Sequence, residues 1–243
     1  MKTNKLFFLS IFLIVTNLTF AQGGFRVATK LGLNYSRLSS KNITDDKQIG
    51  YFPSISSTAG IEFGYNVTYF NYGFTLGFLY RQYGQLYQQA NTPIPIWQNK
   101  YKVNYLDIPF LVRFRPTGDK GSRSFSYGGP YLELGVQASL LMNATQSNTS
   151  DSLFYPLPIN SNITNIKDQY ESFALAGVIG FGAHHAATEH FALTHGLRAT
   201  FSLTDIKNKA QRTDFTQTDG TVSAYKPFKF FSIGYMMSIE YKF

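Results

Sequence analysis

The chain has 243 residues, of which 44% are hydrophobic, 17% aromatic and only 15% charged, and its formal net charge is +8. Average globular chains carry about 25% charged residues, so this protein is unusually poor in charge. The mean hydropathy is −0.14 and the apolar residues are dispersed, which excludes a bundle of membrane helices. Each such helix needs about 20 consecutive apolar residues. The aromatic content also excludes a disordered chain.

Residues 1–22 have the pattern of a secretory signal peptide. Lys2 and Lys5 form a positive start, residues 6–15 form an apolar core, and Ala21 is a small residue at the expected cleavage site. The mature domain is therefore expected to be residues 23–243 and to be exported. The sequence contains no cysteine, so the exported domain needs a large core or lipid rather than disulfides for its stability. Export, and the lack of a basic cluster beside stacked aromatics, argue against a nucleic-acid partner.

Eight segments of the mature chain alternate between apolar and polar residues with a period of two, which indicates β-strands. In the first, Phe25, Val27 and Leu31 fall on one face, whereas Arg26 and Lys30 fall on the other. The segments are residues 25–36, 59–67, 72–81, 106–115, 132–140, 173–182, 191–203 and 231–243. Strands of about 10–14 residues are long for globular sheets and suit tilted strands that cross a membrane.

The connections between these segments alternate strictly between long and short. The long ones are rich in Asn, Gln, Ser and Thr and cover residues 37–57, 85–100, 143–169 and 205–227. The short ones cover residues 70–71, 116–126 and 185–189. This alternation is typical of outer-membrane barrels, which have long loops outside the cell and short turns in the periplasm. We therefore predict an all-β fold, an eight-stranded antiparallel up-and-down transmembrane β-barrel with both termini in the periplasm.

The volume of the apolar side chains decides which face meets water. The apolar faces hold roughly 40 large side chains, whereas the interior of a packed eight-stranded barrel accepts about a dozen. The apolar face is therefore expected to point outward into lipid, with a soluble two-sheet sandwich as the alternative. The opposite face is rich in small residues and carries eleven charges: Arg26, Lys30, Glu62, Arg81, Asp107, Arg113, Arg115, Glu133, Arg198, Glu240 and Lys242.

Charges of both signs in a narrow lumen predict an ion-paired network that plugs the barrel, because buried charges persist when they are paired. A selective pore needs more width than eight strands provide. A small ion-conducting porin therefore remains an alternative function rather than the first choice. Pro109 cannot donate a ladder hydrogen bond, so we expect a local bulge or a break in the ladder there.

Several stretches resemble the PorT-like "porin family" of outer-membrane β-barrels. They are residues 30–36 (KLGLNYS), 104–110 (NYLDIPF), 130–135 (PYLELG), 196–197 with 203–206 (LTDI), and the last strand, 234–243. The resemblance covers most of the mature chain and implies an outer-membrane location. Most members lack an assigned activity. The PorT proteins that give the family its name assist type IX secretion and, in some cells, gliding, so an accessory role in that process is an alternative function.

The sequence offers little for catalysis or metal binding. His184, His185, His190 and His195 cluster in one region, but their spacing fits no zinc pattern and no cysteine accompanies them. Some eight-stranded barrels modify lipid A with a His and a Ser. Here His195 and Ser202 are seven residues apart in one strand, so they fall on opposite faces and cannot pair. We therefore expect a non-enzymatic protein without a cofactor, metal or catalytic site.

The long loops are the expected functional surface, because loops on a rigid barrel carry recognition. Residues 93–97 (PIPIW) and 154–158 (FYPLP) are apolar clusters within two of these loops. They are expected either to bind a partner protein or surface polysaccharide, or to close the barrel mouth. The expected surroundings are outer-membrane lipid and lipopolysaccharide, and the expected state is a monomer.

Overall fold

The computed structural model describes residues 24–39, 49–67, 71–89, 97–115, 129–150, 162–216 and 220–243. The strands are β1 Gly24–Ser39, β2 Ile49–Val67, β3 Tyr72–Gln89, β4 Trp97–Phe114, β5 Gly129–Ser150, β6 Asn162–Asn165, β7 Phe173–Ala186, β8 Phe191–Ser202, β9 Phe215–Thr216, β10 Val222–Ser223 and β11 Lys229–Lys242. Short 3-10 helices cover Lys167–Gln169 and Lys209–Gln211. Within these ranges, no helix has the length and apolarity that crossing a membrane requires.

Eight long strands close into one antiparallel barrel. The ring runs β1–β2–β3–β4–β5–β7–β8–β11 and returns from β11 to β1. Each of these strands pairs with its neighbours along the chain; for example, Leu31 of β1 is opposite Met237 of β11. Closure satisfies the backbone hydrogen-bonding groups within the ring, which is the requirement for a sheet in lipid. The predicted eight-stranded up-and-down barrel is confirmed.

The apolar side chains point away from the barrel axis. Leu31 and Leu33 are 64% and 67% exposed, whereas Arg26 and Glu240 are fully buried. On every long strand the outward positions form what we call the apolar belt, which includes Phe74 of β3. The prediction from side-chain volume is therefore correct, since the ionic face lies inside and the large apolar side chains lie outside.

The predicted strand length of 10–14 residues holds for β7, β8 and β11, but β1 to β5 are longer, which is a correction. β2 to β5 are 19, 18, 18 and 22 residues long and take in much of the loops predicted at residues 37–57, 85–100 and 143–169. These strands continue past the apolar belt, so their outer ends face water instead of lipid and carry polar residues on the outside. Beyond Tyr80, β3 turns polar Gln82 and Gln88 outward and buries Tyr83 and Tyr87. The alternation persists there with its polarity partly reversed, because the tyrosines lie inside while Gln85 also remains buried.

Pro109 interrupts one ladder without causing a bulge. The pairing of β3 with β4 omits Pro109 and resumes in the same register, from Leu76 opposite Phe110 to Leu79 opposite Asp107. The register shift of β4 lies instead between Asn104 and Tyr105, on the side of β5. The proline ring lies against Gly77, where a Cβ would come within 2.9 Å of the ring. The expected ladder break is confirmed, and glycine is needed opposite it.

Besides the short connection predicted at residues 116–126, three predicted features lie outside the described residues. These are the signal peptide at residues 1–22, the apolar cluster at residues 154–158, and residues 93–96 of the other apolar cluster.

Candidate functional site: the closed lumen and its outer rim

Seven buried side chains from six strands form one chain of alternating charge across the lumen. We call it the ion chain: Lys30, Glu62, Arg198, Glu133, Arg113, Glu240 and Arg26. It begins and ends on β1. Each successive pair lies within 2.7–3.0 Å, and every member is at most 2% exposed.

The two central arginines of the ion chain each bridge two carboxylates. Arg198 donates to Glu62 at 2.9 Å and to Glu133 at 2.7 Å. Arg113 donates to Glu133 at 2.7 Å and to Glu240 at 2.7 Å. Because Arg113 reaches Glu240 four strands away around the ring and Arg198 reaches Glu62 three strands away, the ion chain spans the lumen at the level of the apolar belt. Charges buried in this way are stable only while their partners are present.

A second polar layer lies next to the ion chain, toward the end of the barrel that carries the long loops. Asp107 accepts hydrogen bonds from Tyr83 at 2.9 Å and from Ser139 at 2.6 Å, and it pairs with Arg81 at 3.4 Å. Arg81 also donates to Thr200 at 2.9 Å. The Tyr83 hydroxyl therefore belongs to the polar layer, while its ring faces the next layer.

That next layer is apolar and closes the outer mouth of the barrel. We call it the mouth cluster; it consists of Leu38, Tyr83, Val103, Tyr105, Leu141, Ala144, Ile166, Tyr170, Ala174, Ala176, Ile206 and Phe230. The ring of Phe230 lies at its centre, 4.2 Å from the ring of Tyr83 and 5.9 Å from that of Tyr105. The sequence analysis did not identify this cluster. The reversed alternation of β3 and β4 was the available signal.

The mouth cluster anchors the outer rim, which we define as residues 162–172 and the described part of 203–228. Backbone hydrogen bonds join the two segments, from Glu171 N to Ile206 O at 2.9 Å and from Asn208 N to Gln169 O at 2.9 Å. Ile166 N also donates to Ala144 O of β5 at 3.0 Å. The outer rim is thus attached to the barrel by both backbone and side chains.

Asp205 organises the side chains of the outer rim. It accepts hydrogen bonds from the Tyr225 hydroxyl at 2.7 Å and from Phe228 N at 3.1 Å, and it pairs with Arg212 at 3.2 Å. Burial and the hydrogen bond to Asp205 raise the pKa of Tyr225 to about 12. Burial lowers the pKa of Lys207, and Asp205 opposes that shift.

The eleven charges assigned to the lumen all point inward. Ten are buried, and Lys242, at the end of β11, is half-buried. Arg115 and Lys242 lie against the two ring nitrogens of buried His184, at 3.2 and 3.3 Å. The predicted ion-paired, narrow lumen is therefore confirmed.

The other three histidines lie on the outside. His185 and His195 contact each other through their Nε2 atoms at 3.1 Å, and His190 Nδ1 lies 3.1 Å from Lys242 O. No group of three or more potential metal ligands occurs among the described residues. His195 faces outward and Ser202 inward, so these two residues do not form a nucleophile–base pair.

Two of the stretches that carry the PorT-like resemblance make contacts that hold the barrel together. In residues 104–110, Tyr105 packs in the mouth cluster, Asp107 anchors the second polar layer and Pro109 lies against Gly77. In residues 203–206, Asp205 organises the outer rim and Ile206 enters the mouth cluster. These motifs therefore describe how the barrel is built and closed.

The chain was compared with protein families, curated proteins and solved structures. A family model described as an outer membrane protein beta-barrel domain matches residues 20–208. A search of curated proteins gives no match. Among solved structures, Neisserial surface protein A is 14% identical, with a TM-score of 0.43, covering 90% of this chain and 97% of that chain. Ail of Yersinia pestis, solved with the heparin analogue sucrose octasulfate, is 12% identical, with a TM-score of 0.38, covering 90% and 99%.

The outer membrane protease OmpT of Escherichia coli is 9% identical, with a TM-score of 0.22, covering 91% of this chain and 96% of that chain. The family match spans most of the chain, so the protein belongs to the outer membrane protein beta-barrel domain family. Membership of this family indicates an outer-membrane location.

Proposed function

We propose that this protein is a non-enzymatic, non-conducting monomer that displays a recognition surface outside the outer membrane. The single observation that carries the proposal is the combination of a lumen closed at two levels with strands that continue beyond the apolar belt. Residues 82–89 of β3, 97–105 of β4 and 143–150 of β5 form this extension, which we call the outer wall. A barrel that served only as a membrane anchor would not need it.

The chemistry of the outer wall favours a surface polysaccharide as the partner. Gln88 of β3 lies opposite Gln98 of β4 on the outward face, whereas Asn99 of β4 and Asn148 of β5 are opposite each other on the inward face near the outer end of the barrel. Amide groups carry both donors and acceptors, which suits them to the hydroxyl groups of sugars. A partner protein at the same surface is the other outcome that our binding test distinguishes.

The test of recognition measures how the full barrel in nanodiscs binds to immobilised polysaccharides. The probes are the purified polysaccharide portion of lipopolysaccharide, dextran and dextran sulfate. We expect at least one probe to retain the wild type. The variant Gln88→Ala/Gln98→Ala is expected to lose about tenfold in affinity, because two sets of hydrogen bonds are removed. The matched control is Leu134→Ala on the apolar belt, which should bind as the wild type does. Equal binding by both variants would overturn the polysaccharide proposal, and so would failure of all three probes to retain the wild type, which is the outcome that a partner protein predicts.

Two alternatives have their own tests. For a small porin, the relevant measurement is the conductance of planar bilayers that contain the folded barrel. We expect it to stay at the level of lipid alone, because the ion chain and the mouth cluster both obstruct the lumen. For a PorT-like accessory of type IX secretion, the support is the sequence resemblance, and a stable complex with secretion components after cross-linking in cells would favour that role over ours.

A further inference from the structure

A shallow apolar groove crosses the outside of the barrel where β8, β11, β1 and β2 lie side by side. Its volume is about 480 Å³. Leu31, Leu193, Tyr235 and Ile239 are among its walls, and Ser57 of β2 lies at its far edge. We call it the lipid-side groove. It belongs to the apolar belt, so its natural occupant is a hydrocarbon chain rather than water.

The lipid-side groove begins just inside a band of aromatic residues. Phe191 and Tyr241 are opposite each other in the ladder, and their rings are 5.1 Å apart. Two residues further along the same ladder, the lipid-facing pair Leu193 and Ile239 forms the end of the groove that lies nearest to the aromatic band. Aromatic bands mark the interfaces of membrane barrels. The groove therefore runs from the periplasmic headgroup level toward the middle of the bilayer.

Two histidines border the near end of the lipid-side groove. His185 is the ladder partner of Leu193, and His195 lies two residues beyond it on β8. Their rings are parallel within 4°, with centroids 5.2 Å apart, and their Nε2 atoms are 3.1 Å apart. The ring of His195 also lies 6.0 Å from that of Tyr235, a wall of the groove. We call these two residues the histidine pair.

The histidine pair is a hydrogen-bond donor toward its surroundings. When one Nε2–H donates to the other Nε2, the accepting ring carries its own proton on Nδ1. That Nδ1–H is directed away from the shared contact and is available to an acceptor outside the pair. Polar groups on a lipid-facing surface are costly and are commonly functional. Within the described residues no third metal ligand joins the pair, so its geometry favours an anion.

We propose that the lipid-side groove and the histidine pair together bind one phospholipid of the periplasmic leaflet. An acyl chain would fill the groove, and the phosphate would accept a hydrogen bond from the Nδ1–H of whichever histidine of the pair accepts at Nε2. The proposal is independent of the ligand of the outer wall, because the two surfaces lie at opposite ends of the barrel. It assigns a function to the only two histidines that contact each other among the described residues.

The first experiment measures the phospholipid that remains on the barrel after purification from outer membranes in mild detergent. We expect about one phospholipid per wild-type barrel by mass spectrometry. Leu193→Trp fills the groove, and His185→Leu/His195→Leu removes the donors while keeping an apolar surface. Each is expected to reduce retention about tenfold, the histidine variant through the lost hydrogen bond to a charged group and Leu193→Trp through the space that the indole takes from the acyl chain. Leu134→Trp, on the distant β5, is the matched control and should retain the lipid.

The second experiment separates a lipid from a free phosphate. NMR signals of the imidazole groups are followed while dihexanoyl phosphatidylglycerol, glycerol phosphate or a diacylglycerol is added to the barrel in micelles. We expect the phospholipid to shift the signals of both histidines at lower concentrations than the other two. Equal potency of glycerol phosphate would show a phosphate site without a lipid, and equal potency of diacylglycerol would remove the role of the histidine pair; either result overturns the proposal. The same holds if the wild type retains no lipid or if all three variants retain it equally. Heat-dependent gel mobility confirms that each variant is folded.

Discussion

The two halves of this barrel use the same backbone pattern with opposite chemistry. At the level of the apolar belt, the inside is ionic, as in the ion chain, and the outside is apolar, as at Leu31 and Leu33. Beyond Tyr80, the inside becomes apolar in the mouth cluster and the outside becomes polar at Gln82 and Gln88. The difference shows that the medium around the barrel determines which side chains point inward at each level. Lipid accepts the apolar side chains, and water excludes them.

The largest expected effect concerns the balance of charge in the ion chain, which has four cations and three carboxylates. Glu240→Gln leaves Arg26 without its carboxylate partner. It should lower the free energy of unfolding by about 3–5 kcal/mol. Urea titration in lipid vesicles, with the gel mobility of the folded barrel as the readout, measures this loss.

The control for that comparison is Arg198→Gln, which removes a cation and leaves three charges of each sign in the ion chain. We expect a smaller loss than with Glu240→Gln, because the remaining partners still pair. If Arg198→Gln is the more destabilising of the two, then charge balance does not govern this layer.

The second prediction concerns the mouth cluster. Phe230→Ala removes the ring at its centre and should cost about 3 kcal/mol, as other deletions of large buried side chains do. Its distinguishing effect is local, because the outer rim loses its anchor. Trypsin should therefore cleave after Lys207 and Lys209 much faster than in the wild type. Unchanged cleavage would mean that the backbone bonds alone hold the rim.

The third prediction tests the boundary between the two halves, where Tyr83 belongs to both. Tyr83→Phe keeps the ring and removes the hydroxyl that donates to Asp107, so we expect a loss of about 1–3 kcal/mol. Tyr35→Phe, at an exposed position of β1, is the matched control and should unfold at the same urea concentration as the wild type. Equal stability of both variants would show that the boundary bond contributes nothing.

The smallest expected effect lies in the outer rim, which faces water. Asp205→Asn keeps the shape of the side chain but removes a partly exposed ion pair with Arg212, so a loss of about 1 kcal/mol or less is expected. The wild type should also lose stability as the pH rises from about 10 to 12. The reason is that unfolded tyrosine releases its proton near 10, whereas the pKa of Tyr225 is about 12.

This pH dependence should be weaker in Asp205→Asn, since Tyr225 then lacks a charged acceptor. The ¹³C signal of the Tyr225 ring, followed by NMR during the titration, measures its pKa in both proteins. An unchanged pKa in the variant would contradict the role given to Asp205.

The membrane half was predictable because its alternation is regular. Phe25, Val27 and Arg26 already separate the two faces, and the counted volume of the apolar side chains determines which face is outside. The pairing within the ion chain was not predictable. Arg198 and Glu133 are 65 residues apart, and their contact depends on the closure of the ring.

The outer half was predicted less well, for a related reason. Beyond Tyr80 the polar residues of β3 resemble those of a loop, because Gln and Tyr alternate without a clear contrast in hydropathy. Backbone pairing with β2 and β4 extends these strands, and the partners on β2 are distant in the sequence, as Gly50 opposite Gln88 shows. The mouth cluster likewise joins β1, β3 and β11 with the outer rim.

By itself, the sequence determined the number of membrane strands, their inward and outward faces and the ionic character of the lumen, because a period of two is a local property of the chain. Only the tertiary structure decided the order of charges in the ion chain, the apolar closure of the mouth and the contact between His185 and His195. These depend on which strands become neighbours when the barrel closes, and on whether lipid or water lies outside each level of the wall.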